Sequence, residues 1–227
     1  MKVLNKETTL EKSLIALFFL MGFIEVVSDD SYIQYTIKPL QIMLLFALYS
    51  YTSIRKNPLF FINMIFLLIG RMLFVPKEKH MLFYALIAVF FHRIIEIYYV
   101  IKLTKIKDYI PPLLASIPFL IYFLYLVSIP DSVLIRSYLI LIVQIVLISV
   151  LSGIILSQYL LTFNRKDIWL FVYGIMSLMQ TFVIFIEKFY LSDFKITSLR
   201  PMALFLNTIV CFSFYKFVIT TERLNDD

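Results

Sequence analysis

One cysteine, two histidines and four glycines serve a chain of 227 residues, and each scarcity removes a class of function. A single thiol, Cys211, cannot close a disulfide within one chain. With only His80 and His92 there is no His-Glu-x-x-His pair and no His/Cys spacing of the kind that holds zinc. No metal or cofactor is therefore expected. Four glycines leave no room for a glycine-rich phosphate loop or a Gly-x-Ser-x-Gly nucleophile elbow. Charge is also sparse, at 16% of residues against about 25% in an ordinary soluble domain.

Apolar side chains fill the space that these absences leave. They make up 61% of the chain, and the mean hydropathy is +0.90. So few charges cannot screen so much hydrocarbon from water, so the excess must face lipid. The 23 Phe and 15 Tyr suit that setting, because aromatics fill lipid-facing grooves and Tyr tolerates the headgroup zone. The apolar runs are long and continuous, not alternating segments of about 10 residues, which excludes a barrel and predicts an all-α membrane bundle. The net charge is +6. Its basic residues cluster between apolar runs and form no basic, aromatic-interleaved surface, so nucleic acid is not an expected partner.

The apolar segments are Ser13–Val27, Ile33–Thr52, Pro58–Val75, Met81–Ile101, Ile110–Ile129, Val133–Leu161, Ile168–Tyr190 and Pro201–Thr220. Most reach the ~20 residues needed to cross a hydrocarbon core. They predict one bundle of about eight transmembrane helices over residues 1–227, with no soluble domain. Lys2, Lys6 and Lys12 precede the first segment, but Ser28-Asp29-Asp30 follows it without a small-x-small cleavage pattern, so an uncleaved first helix is expected. Pro58, Pro111-Pro112 and Pro201 stand at segment starts, where the missing N–H costs nothing. Pro39 and Pro118 lie inside segments and are expected to kink them. Alternate loops carry 11 Lys and Arg on one side and 6 on the other. The positive-inside rule then places both termini in the cytoplasm, in a bacterial inner (plasma) membrane.

Ionisable residues within spanning segments are expensive and usually face a bundle interior or a watery cavity. Here they are Glu25, Lys38, Arg71, His92, Arg93, Glu96, Glu187 and Lys216. Lys38, Arg71 and the Glu187-Lys188 pair could instead snorkel to the interface. His92, Arg93 and Glu96 have i,i+3 and i,i+4 spacing on one helix face. They form either a neutralised ion pair that sets packing, or a pocket lining with His92 exchanging protons. Ser149, Gly153 and Ser157 repeat every four residues, a spacing that lets helices approach closely. Gln144, Gln180, Thr181, Asn207 and Thr208 either hydrogen-bond between helices or line a polar cavity.

Several local patterns resemble the YhhN family of multi-pass membrane proteins, whose characterised members are lysoplasmalogenases. Ile37-Lys38-Pro39-Leu40 matches the family's Lys-Pro-Leu at the second helix. Gly70 stands where the family has Gly-Asp, and His92 where it has a helix histidine. The stretch from Gly174 to Phe189 is spaced like its seventh-helix pattern, and Phe212-x-x-Tyr215-Lys216-x-Val218-Ile219 like its final one. The resemblance implies an eight-helix fold, a lipid-accessible polar cavity and a lysophospholipid ligand. The departures fall on the chemistry: Arg71 replaces the Gly-Asp aspartate, Gln180-Thr181-Phe182 replaces Ser-Asp, and Lys216 replaces a glutamine. Vinyl-ether hydrolysis needs a proton donor and a group that stabilises an oxocarbenium. The candidate catalytic residues are therefore His92, Glu96 and Glu187. The candidate substrate-binding residues are Lys38, Arg71, Arg93, Gln180, Asn207 and Lys216. The expectation is a lipid-binding member with altered or lost catalysis. The alternative is a non-enzymatic membrane subunit or transporter whose buried charges are structural.

Overall fold

The computed structural model describes residues 9–28, 30–76, 79–106, 108–128, 135–162, 165–187 and 199–226. Over these the protein is helical throughout, with eight helices: α1 (Thr9–Val27), α2 (Ser31–Thr52), α3 (Pro58–Leu73), α4 (Lys79–Thr104), α5 (Ile110–Ser128), α6 (Ile135–Thr162), α7 (Arg165–Phe185) and α8 (Leu199–Asp226). Segment ends expected at Ile129, Val133 and Tyr190, together with Lys188, lie outside the described residues. So do six of the cations counted for topology, Lys2, Lys6, Lys77, Lys107, Lys188 and Lys195.

Local chemistry sets the limits. Asp30 caps α2 by accepting from the Tyr32 N–H at 2.9 Å. Asn57 caps α3 by accepting from Leu59 N–H at 3.1 Å, with Pro58 in the first turn, the positions where both residue types fit best. After α4, Lys105 takes the left-handed conformation at φ 53° that glycine usually supplies, and closes the helix with a bond to Ile101 O. Helices α2 and α5 run on through Pro39 and Pro118. The last helix outruns its apolar segment by six residues, of which Thr221 and Glu222 are buried.

Helix α8 lies against α1, α2, α4 and α7, while α3 packs on α4, and α4 on α6. Among pairs with substantial contact, α5 packs on α6 alone. Two close approaches depend on glycine. A methyl group at Gly153 would sit 2.4 Å from Pro112 O and 2.7 Å from Ser116 N on α5. At Gly22 it would sit 2.6 Å from the Thr208 side chain. The Ser149-Gly153-Ser157 stripe is therefore a packing seam, in keeping with its spacing.

Five helices are long and apolar enough to cross a membrane: His80–Thr104, Ile110–Ser128, Tyr138–Leu161, Ile168–Phe185 and Leu199–Asn225. Helix α3 is apolar but only 16 residues long. The polarity of the molecule is inverted relative to a soluble protein. Glu25, Lys38, Gln41, Arg71, His92 and Glu96 are buried, while Phe23, Met43, Ile65, Phe91, Leu113, Leu139 and Ile175 are exposed. Exposed apolar area on this scale marks a surface that meets something other than water.

Candidate functional site

The bundle has two unlike ends. At the end where α2, α4 and α8 finish, a carboxylate is enclosed by hydroxyl groups. Glu222 is buried; its Oε1 accepts from Tyr49 Oη at 2.8 Å and Tyr99 Oη at 3.1 Å, and its Oε2 from Ser53 Oγ at 2.8 Å. No basic side chain among the described residues pairs with it. Beneath it the rings of Tyr49 and Phe60 stack at 4.0 Å, and Phe214 packs against Phe60, Tyr99 and Tyr173. This end is a filled plug. Tyr99→Phe removes one donor to a buried carboxylate and should cost about 1.5–3 kcal/mol. Thermal unfolding in detergent would read that cost, and an unchanged midpoint would show that the plug is not under load.

The other end holds a cavity of about 220 Å³. Its wall is largely apolar, from Leu67, Leu86, Phe123, Ile145, Ile148 and Ile184, and its polar part comes from α2, α3, α4, α7 and α8, with Gln144 of α6. Seven of the nine sequence-derived candidates line it: Lys38, Arg71, His92, Arg93, Gln180, Asn207 and Glu187. Lys38 and Arg71 therefore do not snorkel outward; they are 4% and 7% exposed.

Glu25 of α1 organises the polar wall. Its Oε2 lies 2.6 Å from Arg71 Nη2 and its Oε1 3.1 Å from Lys38 Nζ. The Lys38 contact is Coulombic, because no donor is aligned on Oε1 for a hydrogen bond. Arg71 Nη2 also donates to Gln41 Oε1 at 2.8 Å, and Gln41 Nε2 donates to Thr208 Oγ1 at 3.1 Å. Asn207, with its amide oxygen turned towards the guanidinium, accepts from Arg71 Nε at 3.2 Å. The Gln180 amide lies 3.0 Å away on its other side. The positive charge of Arg71 is thus offset by a carboxylate from another helix.

The inner end of the cavity is formed by α4. Arg93 Nη1 donates to Glu96 Oε2 at 2.7 Å, and Tyr173 Oη donates to Glu96 Oε1. His92 Nε2 is 3.6 Å from the same carboxylate, while Nδ1 is 3.2 Å from Asn63 O. Both alternatives for this cluster hold in part. Arg93 and Glu96 form a neutralised pair, yet His92 and Arg93 also line the cavity. Glu96 does not line it, and both its oxygens are occupied. Lys216 is also elsewhere, 3.5 Å from Glu11 and over the rings of Phe212 and Tyr215 at 5.8 and 5.9 Å. Helix phase explains this: Lys216 lies nine residues beyond Asn207, two and a half turns, and so faces the opposite side of α8.

Comparison with family models, curated proteins and solved structures gave no match to this chain. The site therefore rests on its own geometry. Sequence reasoning passed over Glu25 as a site residue, along with Gln34, Gln41, Arg200 and Tyr173. A usable signal existed for part of this set: Gln34, Lys38 and Gln41 are spaced i, i+4 and i+7, a polar stripe along an otherwise apolar helix. For Glu222 and its tyrosines the sequence carries no such signal, since their separations, 173 residues for Tyr49 and 123 for Tyr99, follow no helical period.

Proposed function

We propose that this chain is an eight-span membrane protein that binds an amphiphilic lipid in the cavity between α2, α3, α4, α6, α7 and α8. The observation that carries the reading is one cavity lined both by apolar side chains and by four cations, Lys38, Arg71, Arg93 and Arg200. Acyl chain and headgroup need those two environments in one place.

Support for eight spans comes from what lowers the apparent hydropathy of α1 and α2. Glu25 on α1, and Gln34, Lys38 and Gln41 on α2, are buried inside the bundle, whereas Leu20, Phe23, Leu40 and Met43 face outward. At 1.5 Å per residue, 19 and 22 residues make about 28 and 33 Å, close to a hydrocarbon core. Short α3 would be matched by local bilayer thinning. The filled plug around Glu222 favours binding over a through-route for transport.

Hydrolysis of a lysoplasmalogen, which the YhhN resemblance implies, is the second reading, and His92 and Glu187 on the cavity wall are what favour it. Glu187 is the one carboxylate among the described lining residues, and with Glu96 committed to Arg93 and Tyr173 the pair of acids that the chemistry wants is incomplete among them. Binding is the better supported activity.

The test is the lipid content of protein purified in mild detergent, measured by native mass spectrometry. Wild type should retain about one lipid per chain, and Ile184→Trp, which fills the apolar wall, should lose at least tenfold of it while unfolding at an unchanged temperature. Lipid-free wild type, or an Ile184→Trp variant still loaded, would sink the reading. Aldehyde released from lysoplasmenylethanolamine above a detergent blank, and abolished by Glu187→Gln, would move the assignment to hydrolysis.

A further inference from the structure

We infer that the cavity carries a phosphate-headgroup subsite formed by Lys38 and Arg200 around Gln34, selective for lipids whose headgroup is net negative. The inference rests on the lipid-binding reading and specifies its ligand.

Gln34 Oε1 accepts from Lys38 Nζ at 3.3 Å and from Arg200 Nη2 at 2.8 Å. Two cationic nitrogens are thus held one acceptor atom apart, Arg200 on the first turn of α8 and Lys38 about two turns into α2, with Lys38 4% exposed. Like charges so placed in a low-dielectric setting repel strongly, and the arrangement needs compensation. The described residues compensate it only partly. Glu25 is shared between Lys38 and Arg71, so three cations, Lys38, Arg71 and Arg200, draw on one carboxylate there. Arg93 is matched by Glu96. Among the described residues, four cations on the cavity wall, Lys38, Arg71, Arg93 and Arg200, are set against three carboxylates in and behind it, Glu25, Glu96 and Glu187.

The cations differ in what they have left to give. Arg71 spends its donors on Glu25, Gln41 and Asn207 and serves as an anchor. Lys38 has three N–H donors, one towards Gln34 and one in poorly aligned contact with Glu25. Arg200 has five, one of them on Gln34. The unused donors of Lys38 and Arg200 border the same cavity. A phosphate offers several acceptor oxygens and a charge to place between them, the match for which Arg and Lys are best suited. The starts of α2 and α8 lie at this same end, so their dipoles add to the attraction for an anion. An ammonium-bearing headgroup returns a positive charge to a site already in surplus, which is why net-negative lipids are favoured over zwitterionic ones.

The experiment uses delipidated full-length protein in neutral detergent. It is titrated with lysophosphatidic acid, lysophosphatidylglycerol, lysophosphatidylethanolamine and lysophosphatidylcholine of one chain length, and with inorganic phosphate and glycerol phosphate. Expected is at least a tenfold preference for the two net-negative lipids. Arg200→Gln should erase that preference, weakening the net-negative lipids at least tenfold and the zwitterionic ones, whose phosphate uses the same donors, by less, and Arg200→Lys should restore part of it. Lys38→Met serves as the second variant should Arg200→Gln unfold. Equal affinity for charged and zwitterionic lipids would overturn the subsite and leave the cavity reading standing. Binding of no lipid would overturn both. Inorganic phosphate binding as tightly as the lipids would keep an anion subsite but overturn a lipid as its source.

Discussion

Glu25→Gln should lower the stability of this protein by about 3–5 kcal/mol, the usual consequence of breaking a buried ion pair from one side. Glu25 is fully buried and holds two cations at once, Lys38 and Arg71, on two other helices. Glutamine keeps the volume and one acceptor but removes the charge, which leaves two desolvated cations facing each other. The buried single thiol, Cys211 at 1% exposure, supplies the measurement, because its reaction with a thiol-reactive dye on heating reports opening of the core. Arg71→Gln added to Glu25→Gln should cost less than the sum of the two alone, since the double variant strands one cation, Lys38, where Glu25→Gln strands two. Glu11→Gln is the internal control. Its pair with Lys216 is longer, at 3.5 Å, and less buried, at 17% and 9%, and it joins one cation where Glu25 joins two, so a clearly smaller loss than at Glu25 is expected. Equal effects at Glu25 and Glu11 would mean that the charged trio does not hold α1, α2 and α3 together.

Gly153→Leu should have the second large effect, by removing α5 from the bundle. Even a methyl group at this position would meet Pro112 O at 2.4 Å and Ser116 N at 2.7 Å. Those are backbone atoms, so no side-chain rotation relieves the clash and the helices must separate. Overpacking in a tight interior ordinarily costs about 1–3 kcal/mol. The loss here should reach the upper part of that range, because among the described residues α5 docks chiefly on α6, with a ring contact from Tyr122 to Phe182 of α7 beside it. Proteolysis in detergent, or labelling of a cysteine placed at Ser116, would follow the release of α5. Gly70→Ala is the contrast: its methyl would meet the Val89 side chain at 3.1 Å, and a small rotation suffices. A Gly153→Leu protein as resistant to protease as wild type would show that α5 is held by something other than this seam.

The two predictions rest on features that the sequence exposes to different degrees. The small-residue stripe is periodic within one helix, so Ser149, Gly153 and Ser157 announce a close approach before any partner is known. What they cannot announce is the partner, α5, or that a backbone carbonyl lies against Gly153. The charged residues behave similarly. Glu25, Lys38 and Arg71 each stand out alone, because ionised groups in apolar runs are costly wherever they occur. Their mutual pairing is invisible along the chain, since it joins residues 46 and 13 positions apart on three different helices. His92, Arg93 and Glu96 were legible as a group because their spacing is local, and Arg93 and Glu96 pair as that spacing implies. Lys216 was misplaced because position along a helix does not reveal which neighbour its face meets. Arg200 was passed over as a loop cation, though it lies on the second residue of α8 and lines the cavity.

The sequence by itself determined the solvent of this protein and its secondary structure. Too few charges for so much hydrocarbon, in runs of about 20 residues, leave helices in an apolar medium as the form that pairs every backbone group. Tertiary structure alone decided which end is filled and which is hollow. Buried charges select their partners by distance in three dimensions, and a carboxylate from α1, cations from α2, α3 and α8 and a tyrosine from α7 become neighbours only after the helices have packed.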